Sequence, residues 1–280
     1  MLALVCALLV GYLIARLAWI ALSSLFASPA LARTNYRGRP LPTAAGIVVA
    51  LSVLLVEGGR ALAGSFGVGN GPGLTVPRGL VLLIAVAFGL LGLLDDIAGS
   101  DAYRGFRGHV SALLAGQLTT GGLKLIGGAA VSLVAVGPLV GKSPGRLVAD
   151  ALLVALCANL ANLLDAAPGR ATKVGAAAFV LLVIGVGAPA ALVAPAIVVG
   201  ASLGLLLDDL KEHLMLGDAG SNALGAVLGI AIVLTCAQGV RDVILVLVVA
   251  LNVAGELVSF TRVIDAVPPL RFLDRAGRRR

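Results

Sequence analysis

Long apolar runs constrain this chain more than any other feature of its sequence. Crossing the hydrocarbon core of a bilayer takes about 20 apolar residues in a helix, and in lipid only helices or closed barrels satisfy the backbone. Uninterrupted apolar runs are typical of helices, because barrel strands alternate apolar and polar residues. The sequence therefore predicts an all-α, polytopic transmembrane helical bundle of about nine spans. The predicted spans are 2–24, 43–63, 79–96, 122–140, 147–164, 174–188, 190–207, 219–238 and 242–260.

The composition agrees with a single integral-membrane domain covering residues 1–280. Only 12% of the residues are charged, 59% are hydrophobic, and the mean hydropathy is +1.06. A soluble domain carries about twice that share of charge, so most of this surface is expected to face lipid. The first run has no basic segment before it and contains Arg16, which favours a retained span over a cleaved signal peptide.

The basic residues predict the orientation of the spans. Of the 21 Lys and Arg residues, fifteen lie in the loops after spans one, three, five and seven or in the C-terminal tail. The positive-inside rule then places these loops in the cytoplasm, with the N-terminus outside and the C-terminus inside. Aromatic residues are only 4% and do not interleave with the bases, so nucleic acid is not an expected partner. The predicted cytoplasmic, active-site loops are about 25–43, 95–122, 165–174, 207–220 and 261–280.

Two polar motifs stand at the predicted cytoplasmic ends of spans. Asp95 and Asp96 close the third run, and adjacent carboxylates at a membrane boundary favour a nearby cation; a plain helix stop is the alternative. Asn159, Asn162 and Asp165 recur every three residues and therefore share one face of the fifth span. They predict a polar stripe that leads to an anion site at Arg170 and Lys173, with helix–helix hydrogen bonding as the alternative.

A third motif, residues 216–225, places Asp218 directly after Gly217 and before a helix predicted to begin near Ser221. Small residues let backbone approach a bulky ligand, and a helix N-terminus offers amides to phosphate oxygens. Asp218 would suit Mg²⁺, which prefers a few carboxylates together with substrate phosphates. An ordinary helix cap is the alternative interpretation.

Two basic loops complete the set of candidate residues. Arg39 in the first loop, and Arg104 and Arg107 in the second, have guanidinium groups suited to bidentate phosphate contact. Basic inner loops are expected in any membrane protein, so these loops are weak signals alone. His109 is one of two histidines, and a general acid–base role is a hypothesis for it.

Taken in order, these motifs resemble the polyprenyl-phosphate N-acetylhexosamine-1-phosphate transferase superfamily. The likeness runs from Gly38 to Ser221. Its pieces are Gly38-Arg39-Pro40 with Thr43 and Gly46, the pair Asp95-Asp96, the series Asn159, Asn162 and Asp165, and Gly217-Asp218 with Gly220-Ser221.

The resemblance implies a reaction at the cytoplasmic face of the cell membrane. A polyprenyl phosphate attacks the β-phosphate of a UDP-amino sugar, with Mg²⁺ (or Mn²⁺), giving a polyprenyl-diphospho-sugar and UMP for cell-envelope glycan synthesis. Asp218 and Asp165 would bind the metal, and Asp95 and Asp96 would organise the lipid phosphate. The implied substrate-binding residues are Asn159, Asn162, Arg39, Thr43, Arg104, Arg107, His109, Arg170 and Lys173.

The chain departs from the family pattern in three places. No lysine follows the Asp pair at 97–100, so Arg104 or Arg107 would have to replace it. Alanines stand after Asp165, and the family's His-rich loop near the C-terminus is missing, which argues against a muramoyl-pentapeptide substrate. A degenerate homologue acting as a membrane scaffold or regulator is therefore a second hypothesis, and a secondary transporter a third. Small Gly and Ala faces could pack a homodimer but select no particular helix.

Overall fold

The structure is a computed structural model, and it describes residues 1–69, 71, 73–99, 108, 111–112 and 114–279. Within these residues the chain forms eleven α-helices and almost no sheet. In chain order the helices are α1 (Leu2–Phe26), α2 (Ile47–Ser65), α3 (Val76–Ala98), α4 (Thr120–Val140), α5 (Pro144–Leu164), α6 (Arg170–Val186), α7 (Val193–Leu210), α8 (Gly217–Thr235), α9 (Gln238–Leu257), α10 (Phe260–Ala266) and α11 (Pro268–Arg275).

Each of the nine predicted apolar runs coincides with one of the helices α1–α9. Seven helical segments of the described chain are long and apolar enough to cross a membrane: α1–α5, α8, and α7 together with the 3-10 turn Ala190–Leu192. Helices α9 and α10 pass the same test only as a pair bent by 94°. Helix α6 has 17 residues and is shorter than these candidates. The architecture is an all-α helical bundle, and its apolar helices suggest a multi-pass membrane protein.

Helices α7 and α8 form the centre of the bundle, with most of their residues buried. Helix α1 lies directly against α7 through glycines: a Cβ on Gly11 would stand 2.1 Å from the carbonyl oxygen of Ile197, and one on Gly200 would stand 2.1 Å from that of Leu8. Such contacts require glycine, because small residues let two backbones approach closely in apolar surroundings. Peripheral helices instead expose large apolar side chains, such as Ile184 and Leu247, as expected of surfaces that face lipid.

Close backbone contacts through glycine also join helix α8 to α5 and α3. Gly225 packs on the carbonyl of Cys157 in α5, and Gly92 of α3 packs on the backbone of Asp218. A large share of the small-residue surface is therefore used for packing within the chain.

A short antiparallel hairpin lies between α1 and α2. Strand β1 (Ala32–Thr34) pairs with β2 (Pro40–Pro42), with Arg33 opposite Leu41. Asn35 Oδ1 accepts the backbone N–H groups of Arg37 and Arg39 at 2.9 Å each, and Gly38 turns the chain at φ +76°. The hairpin thus closes over the end of the bundle where α3, α5 and α7 end and α8 begins.

Candidate active site

Asp95, Lys124 and Asp218 form an ion-paired cluster at this end of the bundle. Lys124 Nζ, from the first turns of α4, lies 2.9 Å from Asp95 Oδ2 and also donates a hydrogen bond to Asp218 Oδ2. All three side chains are largely buried. The chain thus brings two carboxylates, 123 positions apart in sequence, to one ammonium group.

Asn162 of α5 is the fourth member of this cluster. Its side-chain amide lies between the two charged partners. With the amide assigned the orientation that satisfies both of them, its nitrogen donates to Asp218 Oδ1 at 2.7 Å and its oxygen accepts from Lys124 Nζ at 3.1 Å. Helices α3, α4, α5 and α8 therefore each contribute one polar side chain to a single hydrogen-bonded group.

Asp96 faces the start of α8 rather than Lys124. Its two carboxylate oxygens accept the backbone N–H groups of Asp218 and Ala219, each at 3.0 Å. A carboxylate at a helix N-terminus satisfies free amides and complements the helix dipole. Gly217 has φ +70°, and a Cβ there would stand 2.7 Å from Asp96 Oδ2. Helix α8 begins at Gly217, four residues earlier than predicted, because Asp96 caps it from α3.

Asp165 lies just beyond the end of α5, with Asp209 of α7 close by. Burial raises the pKa of the Asp165 carboxyl well above its ordinary value, and the neighbouring charges of Asp209, Asp218 and Asp96 raise this pKa further. Asp209 is buried and accepts the N–H of Gly169 at 2.8 Å. More carboxylates therefore meet here than Lys124 can neutralise, and their full ionisation requires a further cation.

A cavity of about 270 Å³ opens beside these carboxylates. Asn162, Asp165, Asp209 and Asp218 line one wall, and the opposite wall comes from the hairpin and the segment that leads into α8. Thr43 also lines the cavity, and its backbone N–H donates to the carbonyl of Leu31 at 2.7 Å. The cavity therefore combines a carboxylate-rich wall with the first loop of the resemblance.

Glu212, which lines the cavity, contacts the hairpin through ion pairs and a hydrogen bond. Its buried carboxylate lies 3.2 Å from Arg37 Nε and 3.6 Å from Arg39 Nη1, and it accepts from Asn35 Nδ2 at 3.2 Å. Glu212 adopts φ +57°, which is unusual for a residue with a side chain. Arg39 thus stands near the cavity, but a protein carboxylate already contacts its guanidinium.

Arg170 and Lys173 contact the C-terminal residues instead of the cavity. Buried Arg170 makes a bidentate pair with Asp274, at 2.8 and 3.1 Å, and donates to Thr261 Oγ1 at 2.9 Å. Lys173 Nζ donates to the carbonyl oxygens of Leu273, Asp274 and Ala276 at 2.7–3.1 Å. The predicted anion site at these two cations is occupied by the chain's own C-terminus.

The remaining predicted residues divide into two groups. Asn159 Nδ2 donates to Asn252 Oδ1 of α9 at 2.7 Å, which is the helix–helix hydrogen bond that the sequence left open as an alternative. Asn159 does not line the cavity. Arg104, Arg107 and His109 lie outside the described residues, so their proposed roles stay predictions.

The donor set fits a magnesium ion in part. In the described part of the chain no three His, Cys, Asp or Glu side chains are arranged as a ready-made metal site. Mg²⁺ seldom uses such a cage, and it binds through one or two carboxylates plus substrate phosphates and water. Asp165 and Asp218 line the same cavity, and a cation would relieve the crowding of carboxylates that raises the pKa of Asp165, so these two residues fit that pattern.

Sequence reasoning missed Lys124 as a site residue. Lys124 belongs to none of the sequence motifs, although a lysine within the apolar stretch 121–131 indicates a functional site. Asp209 and Glu212 likewise belong to none of the sequence motifs described above. Their roles depend on the loop conformations at Gly169 and Glu212, which spacing does not predict.

No protein-family model matches this chain, and a search of curated proteins gives no match.

Proposed function

We propose that the chain is a magnesium-dependent enzyme that transfers a sugar-1-phosphate from a UDP-amino sugar to a polyprenyl phosphate, releasing UMP. The proposal extends the resemblance described above. Its active site is the end of the bundle that carries Asp95, Lys124, Asn162 and Asp218.

One observation carries the proposal. Three of the motifs that make up the resemblance, spread over the chain from Asp95 to Asp218, meet in one hydrogen-bonded cluster. Asp95 and Asp218 each pair with Lys124. Asn162 contacts Asp218, and these two residues also line the cavity. Buried carboxylates and amides are costly next to an apolar bundle unless they bind something. A phosphate-handling site uses this combination of carboxylates, ammonium and amide.

The residues suit phosphoryl transfer. An oxygen of the lipid phosphate attacks the β-phosphorus of the nucleotide, the bond from that phosphorus to the bridging oxygen breaks, and UMP leaves with the electron pair. Because the attacking oxygen is already anionic, the site needs alignment and charge neutralisation rather than a strong base. Lys124 supplies positive charge to phosphate oxygens, and Asn162 orients the diphosphate.

Asp218 and Asp165 are the residues that would hold the metal. Mg²⁺ bound there would offset the charge of the diphosphate and of the surrounding carboxylates. Asp96 positions Asp218 by capping the first turn of α8. Asp95 holds Lys124 from the opposite side.

The topology is part of the same proposal. Nine spans, with α6 and α9 included, place the active-site end at the cytoplasmic face of the cell membrane. The short connections at residues 141–143 and 236–237 then lie outside. The distribution of Lys and Arg supports this orientation.

A second candidate, a non-catalytic scaffold or regulator, rests on a specific observation. Arg39, Arg170 and Lys173 were the expected phosphate ligands, and each contacts a carboxylate or carbonyl of the chain itself. A site whose cations serve internal contacts can be a stable remnant of an ancestral active site.

Product formation separates the two candidates. Purified protein is incubated with undecaprenyl phosphate and radiolabelled UDP-GlcNAc, with Mg²⁺ or with a chelator, and lipid-linked label is measured. UDP-GalNAc and other UDP-amino sugars follow as a donor panel. Mg²⁺-dependent lipid product with any donor supports the transferase. Absence of product across the panel, from protein that still unfolds cooperatively, favours the scaffold.

A further inference from the structure

We infer that the C-terminal segment, residues 258–279, binds the surface of an anionic bilayer, with the apolar face of α11 immersed among the lipids. The inference rests on the chain being a multi-pass membrane protein and does not require the transferase activity. It concerns residues beyond the motifs of the resemblance.

The first observation is the corner after α9. Only Val258 and Ser259 separate α9 from α10, and the two helices differ in direction by 94°. The ring of Phe260 lies back against Gly255, where an added Cβ would stand 3.0 Å from it. If α9 crosses the membrane, α10 must run along its surface.

The second observation is the two-sided character of α11. Successive residues of a helix turn by about 100°, so Leu270, Phe272 and Leu273 share one side, while Arg271, Asp274 and Arg275 share the other. The apolar side is open: Phe272 is 74% exposed and Leu273 62%. An apolar face of this kind beside arginines is typical of helices that lie in a membrane interface.

The third observation is charge. The segment carries Arg262, Arg271, Arg275, Arg278 and Arg279, with Arg280 following in the sequence, against only Asp265 and Asp274. Asp274 is buried between Arg170 and Arg278, so the charges of Asp274 and Arg278 face the bundle. The exposed basic residues are Arg262, Arg271, Arg275 and Arg279, against the partly exposed Asp265. Basic residues beside a membrane helix attract anionic lipid headgroups, each contributing about fivefold to binding.

The bilayer is favoured over a protein partner for a geometric reason. Exposed apolar residues continue along the chain from Leu257, at the end of α9, through Val258 and Val263 to α11. A surface that begins on a membrane helix and turns by a right angle follows the boundary between acyl chains and headgroups. The contacts of Asp274 and Arg278 with α6 and Pro168 hold the other side against the bundle.

A single-tryptophan probe tests this inference. Trp19 is the only tryptophan, so a Trp19→Phe background removes the native signal. Phe272→Trp, and separately Leu273→Trp, are introduced into the full chain, which is placed in nanodiscs of phosphatidylcholine alone or mixed equally with phosphatidylglycerol. The readouts are the emission maximum and quenching by acyl-chain-brominated lipids. Nanodiscs expose both faces, so orientation does not affect the result.

We expect emission shifted to shorter wavelength and strong bromolipid quenching in the anionic discs, with both weaker in phosphatidylcholine. Arg271→Gln combined with Arg275→Gln should reduce the ratio of immersed to non-immersed segments in anionic discs by about 25-fold. The matched control is Arg60→Gln at the opposite end of the bundle, where an exposed arginine is lost without effect on the probe.

Three outcomes would overturn the inference. Water-like emission in both lipids would mean that α11 does not enter the interface. Equal quenching in neutral and anionic discs would show that lipid charge does not contribute to binding of the segment. A blue-shifted emission that brominated lipids do not quench would show a protein contact in place of lipid. Because none of these readouts uses substrate, failure here leaves the proposed transferase untouched.

Discussion

Lys124 determines how the two aspartates of the cluster can coexist. Asp95 and Asp218 would repel each other in this largely buried position without the ammonium group between them. The same group is the described cation nearest to the motif residues of the cavity wall. The stability of this cluster, and the phosphate handling that we propose for it, therefore depend on one side chain.

Lys124→Met is expected to destabilise the protein by about 3–5 kcal/mol, because it leaves buried charge without its partner. Mg²⁺ should restore more thermal stability to this variant than to the unmodified protein, since a divalent cation can replace the missing positive charge. Thermal unfolding in detergent, with Mg²⁺ and with chelator, measures both effects. Lys142→Met is the control, because Lys142 is exposed at the opposite end. Equal Mg²⁺ responses in the variants would contradict this account of the cluster.

Gly92 permits the contact between α3 and the first turn of α8. A Cβ at this position would stand 2.3 Å from the carbonyl oxygen of Asp218, which is backbone and cannot move aside freely. Gly92→Ala should cost about 1–3 kcal/mol and displace Asp218. Gly79→Ala on the same helix meets no neighbouring atom within 4 Å and should be neutral or slightly stabilising. Chemical unfolding of both variants tests this, and similar costs would argue against the close approach.

At the scale of elements, the helices were predictable and their ends were less so. The apolar runs predict helices α1–α9, and seven of the resulting helical segments in the described chain are long and apolar enough to cross a membrane. The start of α8 depends on Asp96, which lies more than 120 residues earlier, and no local pattern contains that information. The docking of α11 on Arg170 is equally non-local, so the sequence predicted an anion site where the chain placed its own Asp274.

Docking of α11 should persist at mildly acidic pH. Burial alone would raise the pKa of Asp274, but hydrogen bonds and charge from Arg170 and Arg278 outweigh burial and hold this pKa below 3.8. A depressed folded-state pKa contributes stability that is complete above the unfolded value and is lost as the pH falls through the folded one. Amide protection of residues 268–276, measured by hydrogen exchange, should therefore stay constant from pH 7 to about 5 and fall only below about 3.8.

Asp274→Asn should remove most of that protection at neutral pH, at a cost of about 3 kcal/mol, because Arg170 is left buried without its carboxylate. Asp265→Asn removes only an exposed pair with Arg275 and should cost about 1 kcal/mol or less. Protection that declines already between pH 7 and 5 would contradict the role of Asp274.

An ion-paired network fastens the opposite end of α5 to α9. Asp150 is fully buried, pairs with Arg146 and lies 2.5 Å from Arg241 Nη1, whereas Asp242, the other partner of Arg146, is half exposed. Asp150→Asn should destabilise the protein by about 3–5 kcal/mol, and Asp242→Asn by about 1 kcal/mol or less. Thermal unfolding distinguishes them. Equal losses of stability in the two variants would mean that burial does not determine how much each carboxylate contributes.

For the whole molecule, the sequence predicted that the polar motifs lie at one end of the bundle, but only part of their arrangement there. Asp95, Asn162, Asp165 and Asp218 do meet at one end, because alternating helices return every second loop to the same side. Asn159 faces α9 instead, since three-residue spacing on a helix drifts by about 60° per step. Lys124 escaped prediction because it belongs to no motif and its partners come from three other helices.

The most direct test of the central claim, that the Asp218 end of the bundle is a transfer site, is a comparison of three purified proteins. Lipid-linked sugar formed from UDP-GlcNAc and undecaprenyl phosphate is measured for the unmodified chain, for Asp218→Asn and for Asp242→Asn, with Mg²⁺ and with chelator. We predict metal-dependent product from the unmodified chain and from Asp242→Asn, and a loss of at least about 100-fold in Asp218→Asn. Product from Asp218→Asn at the unmodified rate would contradict the account.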